Sequence, residues 1–172
     1  GVVGVLRLRK TSLKDIALKK PKLMDIAYGI LGFGAYFLVV RIVLILVGIA
    51  FPAFNINQEQ NIGLSGLASS LMPAAFVALA VLPPFTEELL FRGFLLTRLQ
   101  KHKVKLIYAA LIVSAIFGAM HGQWNVSIDT FVLSCVMIYS MQQRKSLWVT
   151  ITMHVLKNSI AFYALFILKI HS

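Results

Sequence analysis

The chain predicts an all-α, polytopic membrane protein: a helical bundle of about five transmembrane helices behind a basic N-terminal surface segment. Three observations carry this. Of 172 residues, 59% are hydrophobic and only 13% charged, with mean hydropathy +0.83; an ordinary soluble domain is nearer 25% charged. The apolar residues fall in runs long enough to cross a hydrocarbon core of about 30 Å. The 17 Lys and Arg gather between those runs. Net charge +11 would suggest nucleic acid in a soluble protein. Here it fits basic loops at membrane ends, so nucleic acid is not expected as a partner and membrane lipids are. One cysteine, Cys135, permits neither an internal disulfide nor a Cys-rich metal site. There is no internal repeat, low-complexity tract or long linker, so residues 1–172 read as one membrane domain.

Residues 1–22 form a basic cytoplasmic segment with Arg7, Arg9, Lys10, Lys14, Lys19, Lys20 and Lys22. Lys10 to Lys20 suits a surface helix with Leu13, Ile16 and Ala17 on the lipid side. It is too long and charged for the start of a signal peptide, and a first residue of Gly suggests a trimmed start. Ile26–Phe51 is the first expected span, with Arg41 its one interior charge, buried as a pair or snorkelling. Asn55–Gly63 is a polar loop. Leu67–Arg98 follows, broken by Pro73, Pro83 and Pro84. Proline is welcome in a first turn, so a helix is expected to start near Pro84. That would place Thr86, Glu87 and Glu88 near a helix N-terminus, whose dipole favours ionised carboxylates. After a basic loop at Arg98–Lys105 come spans at Leu106–Ala119, Val126–Met141 and Leu147–Leu168, the last two joined by the Arg144–Lys145 turn. The three basic segments fall on one side under the positive-inside rule, which predicts a cytoplasmic N-terminus; a short, basic, cysteine-poor chain suggests a bacterial cytoplasmic membrane.

Charge within the spans is the functional signal, because a central Asp, Arg or Lys costs roughly 2.5–3.5 kcal/mol on insertion scales. Glu88 and Arg92 are i, i+4 and can pair on a helix. Glu87 points about 100° away and is left available for chemistry. Counted from Arg98, Glu87 is about 16 Å deep; counted from Lys145, His154 is about 14 Å and Asn158 about 20 Å deep. His121, about 24 Å from Lys105, fits this layer least well. His154 and Asn158 share a helix face. Each residue alone has a plainer reading: His121 as an interfacial histidine beside Trp124, His154 and Asn158 as interhelical hydrogen-bonding groups, Lys157 as a structural or snorkelling residue. Together they supply a base, an orienter and donors, the parts that hydrolyse an amide. A small proton-coupled transporter would also place Glu and His in spans, but no inverted repeat supports it.

Three short patterns then carry a resemblance. Glu87-Glu88-Leu89-Leu90-Phe91-Arg92 looks like an EExxxR motif, Phe117-Gly118-Ala119-Met120-His121 like FxxxH, and His154-Val155-Leu156-Lys157-Asn158 like HxxxN. In this order, over a core of residues 83–161, the chain resembles the CAAX protease and bacteriocin-processing family of intramembrane proteases, also called the Abi family, and is similar to type II CAAX prenyl endopeptidases. The resemblance implies an intramembrane endopeptidase acting on a membrane-associated peptide or a lipid-modified protein. It implies that Glu87 activates a water with His121 assisting, that His154 and Asn158 hold the water or the oxyanion, and that Glu88 and Arg92 shape the site. A non-catalytic bacteriocin-immunity or partner-binding role on the same fold is the alternative. Members are often called metalloproteases, and Glu87, His121 and His154 would be the ligands of a zinc ion. No HExxH pattern is present and Asn158 is a poor zinc ligand, so no cofactor is expected.

Overall fold

The computed structural model describes residues 16–55 and 68–168. Five helical segments build it: α1 (Leu23–Ala50), α2 (Ser69–Lys101), α3 (Leu106–Ala119), α4 (Trp124–Arg144) and α5 (Leu147–Ile167). Four are long and apolar enough to cross a membrane, and α3 is a shorter apolar helix. The described residues form no strand. The bundle is therefore the all-α membrane architecture expected, with ends displaced by up to three residues: α1 starts at Leu23, α4 runs Trp124–Arg144.

The helices are apolar outside and selective inside, as lipid exposure demands. On α1 the buried residues Asp25, Gly29, Gly32, Tyr36 and Val40 recur at helical spacing, while Leu31, Leu38, Ile42 and Ile49 are exposed. Lipid is as apolar as leucine, so close packing and hydrogen bonds hold such helices together. A Cβ on Gly29 would stand 2.6 Å from the Cβ of Thr152, so glycine lets α1 seat against α5. A Cβ on Gly118 would stand 2.6 Å from the Ser127 carbonyl oxygen, so glycine lets α3 seat against α4. A buried Ser114–Ser134 hydrogen bond of 2.7 Å joins the same two helices. One core cluster unites Leu89, Phe91 and Leu96 of α2 with Val113, Phe117, Ile138, Leu147 and Ile151; a second unites Tyr36 and Val40 of α1 with Leu133, Met137, Val149 and Met153. Both draw on α4 and α5, the centre of the bundle.

Two expectations are corrected. The helix does not begin at Pro84: α2 runs unbroken through Pro83 and Pro84, with π-helical turns at Val77–Val81 and Leu89–Leu96. The wider turn before the prolines accommodates rings that would clash with an α-helical backbone. Glu87 and Glu88 consequently sit in mid-helix rather than at an N-terminus. The surface helix expected to reach Lys20 is absent from its described part. Ile16 and Ala17 form a turn, Ala17 is left-handed (φ 59°), and residues 18–22 have no regular secondary structure. Ile16 does not face lipid; it is buried against Gly93 of α2. The Ala17 carbonyl accepts from the Leu147 N–H (3.0 Å) and the Lys19 carbonyl from Trp148 Nε1 (2.7 Å), tying this strap to the start of α5. The remainder of that expected helix, residues 10–15, lies outside the described residues, as does most of the Asn55–Gly63 loop. Arg41 lies on the exposed face of α1, the position from which a long side chain snorkels.

At the same end, Asp25 is buried and accepts from Arg144 Nε (3.1 Å), Ser146 Oγ (3.1 Å) and the Lys22 N–H (3.2 Å). This fixes the start of α1 to the α4–α5 turn.

Candidate active site

The site grows from the first π-helical turn of α2. The Leu79 carbonyl would be bonded by residue 83 in an α-helix or by residue 84 in a π-helix. Both are proline and neither has an N–H. The Asn158 side chain of α5 fills the role, donating Nδ2–H to Leu79 O at 3.3 Å. Sequence reading missed this partner, although the proline pair marks the orphaned carbonyl directly.

One turn deeper, α2 presents its carboxylates. Glu88 and Arg92 make the ion pair that their spacing offers, Nη1 to Oε1 at 2.8 Å, and both side chains are completely buried. The same Glu88 oxygen lies 2.8 Å from His154 Nδ1 on α5. Arg92 also lies over the Phe117 ring, 4.4 Å from its centroid. Arg92, Glu88 and His154 are thus a buried relay across α2 and α5, with the carboxylate charge balanced by the guanidinium. With Nδ1–H given to Glu88, the tautomer leaves His154 Nε2 open on the opposite edge. That nitrogen faces Glu87, 3.8 Å from Oε2. Glu87 is only partly covered, at 36% exposure, whereas His154 is buried. The 3.8 Å separation exceeds a direct hydrogen bond and suits two groups that share a third between them.

His121 stands apart from this pair. It caps the end of α3, exposed, with Nδ1 2.8 Å from the Phe117 carbonyl oxygen. Phe117 touches both histidines, its centroid 5.1 Å from His121 and 5.6 Å from His154. The structure therefore brings Glu87, Glu88, Arg92 and His154 together. Asn158 is held one turn along α5, and His121 packs on Phe117.

The donor set for zinc falls short. Among the described residues no three His, Cys, Asp or Glu side chains converge as metal ligands. Glu87 and His154 offer one donor each, while the expected third, His121, does not join them.

A bundle of lipid-facing helices with a charged cluster buried in its spans defines an integral, multi-pass membrane protein. The sequence pattern of the family described as type II CAAX prenyl endopeptidase Rce1-like matches residues 68–160. That match covers more than half of the 172 residues, and the chain belongs to this family of CAAX-type intramembrane proteases. No curated protein and no solved structure gives a significant match.

Proposed function

We propose that the protein hydrolyses a peptide bond of a lipid-modified, CAAX-type protein within the membrane, using a water activated by Glu87. One observation carries the reading: His154 Nε2 faces the Glu87 carboxylate while its Nδ1 is fixed by Glu88. Among the described residues, Glu87 is the acid of this layer that is partly exposed and has no ion-pair partner closer than 3.8 Å. It takes the proton of a water placed between itself and His154, and the resulting hydroxide attacks the scissile carbonyl. His154 Nε2 accepts from that water and orients it, and the second N–H of the Asn158 amide is a donor for the oxyanion. The proton held by Glu87 then passes to the leaving amine. Glu88 and Arg92 orient the imidazole. The partial exposure of Glu87 suits entry of a substrate whose lipid stays in the bilayer.

The test is incubation of purified protein, in proteoliposomes, with a farnesylated peptide ending in a CAAX sequence, read by mass spectrometry. Release of the C-terminal tripeptide is expected, and an intact peptide under all conditions would contradict the substrate class.

A further inference from the structure

A second charged cluster lies outside the site. Lys157 of α5 pairs with Asp129 of α4, Nζ to Oδ2 at 2.7 Å. The other Asp129 oxygen accepts from the Tyr36 hydroxyl of α1. Tyr36 is buried, and the two charged side chains are about one-fifth exposed (21% and 22%). Both carboxylate oxygens are thus engaged, and three helices meet at one acid. A lysine loses much rotamer freedom when held this way, and an ion pair of this kind is weak evidence for stability. Its placement gives the better explanation.

Lys157 is three residues beyond His154, about 4.5 Å along the axis. Its neighbour Asn158 reaches the other way, to Leu79 of α2. Adjacent residues thus tether α5 to α4 on one side and to α2 on the other, which fixes the roll of α5 about its own axis. His154 rides on that roll. At a side-chain radius of about 6 Å, a roll of about 10° moves the imidazole by about 1 Å. Displacements of that size cost up to about 100-fold in rate. We infer that the Tyr36–Asp129–Lys157 triad positions His154 Nε2 toward Glu87, with Asp129 and Lys157 as positioning residues rather than catalytic ones.

The inference rests on the proposed protease reading, so its test uses two readouts. The triple variant Tyr36→Phe, Asp129→Leu, Lys157→Met removes every polar member at once and leaves no charge unpaired. Kinetics on the farnesylated peptide should show kcat lowered by about 30- to 100-fold with KM within about twofold. Lys157→Arg, which can still reach Asp129, should retain kcat within about threefold. Independently of cleavage, 15N-histidine spectra should show the His154 imidazole signal displaced in the triple variant and unchanged in Lys157→Arg. Should the triple variant not fold, Lys157→Gln carries the same reading, since it leaves the Tyr36–Asp129 bond intact. A folded variant lacking the pair that keeps both kcat and the His154 signal overturns the inference. If the wild type cleaves no peptide, the protease reading fails, and the His154 signal alone decides the positioning role.

Discussion

Breaking the Glu88–Arg92 pair should cost more stability than deleting it. Both side chains are completely buried at 2.8 Å. Arg92→Met keeps most of the volume but leaves the buried Glu88 carboxylate without its cation. Removing one member of a buried pair typically costs about 3–5 kcal/mol, and loss of the contact over Phe117 adds about 0.5–2 kcal/mol. At about 2–4 °C per kcal/mol for a chain of this size, the ion-pair loss alone lowers Tm by about 6–20 °C. Removing both members behaves differently. Among the described residues, Glu88 Oε2, Arg92 Nε and Arg92 Nη2 have no hydrogen-bond partner, so the wild-type pair carries uncompensated desolvation. Glu88→Met with Arg92→Met should therefore recover the Tm of the wild type or exceed it. Its peptidase activity should still be lost, because His154 Nδ1 has no carboxylate to hold it. Thermal unfolding in detergent beside the cleavage assay reads both quantities. A double variant as unstable as Arg92→Met, or one that stays active, would refute the argument that this pair serves His154 rather than stability.

Asn158→Ala should lower stability by about 1–3 kcal/mol by orphaning the Leu79 carbonyl; adding Pro83→Ala, which restores an N–H at the α-helical position, should return part of it in the same unfolding measurement. Cysteines placed at Asn57 and Lys145 in a Cys135→Ser background should label from opposite faces of the membrane, with Lys145 cytoplasmic; labelling from one face would overturn the topology. Exhaustive chelation should leave kcat unchanged, and a divalent ion whose removal abolishes activity and whose return restores it would replace the metal-free mechanism.

The spans were legible because lipid leaves a one-dimensional signature: apolar runs bounded by Lys and Arg. The pairing of Glu88 with Arg92 was legible because i, i+4 neighbours need no tertiary knowledge. The depth count put His154 in the layer of Glu87, but depth carries no azimuth, so it could not tell that Glu88 rather than Glu87 holds His154 Nδ1. Nor could it tell that His121 and His154 both pack on Phe117. Pro83 and Pro84 suggested a break because proline is usually read through the clash it causes. Here the π-helical turn absorbs the clash, and the lost N–H appears instead as an acceptor for Asn158. Ile16 was misplaced by its basic neighbours, which say nothing of a single apolar side chain tucked beneath Gly93. Lys157 and Asp129 lie 28 residues apart on different helices, and no local pattern links them.

The central claim is that Glu87 activates the attacking water. Its most direct test is the turnover of the farnesylated CAAX peptide by Glu87→Gln beside the wild type, with Tm measured on the same samples. Glutamine keeps the shape and loses the base. The account predicts an unchanged Tm and a kcat lowered by at least about 100-fold, the scale of general-base catalysis. A Glu87→Gln protein that cleaves at the wild-type rate would contradict it.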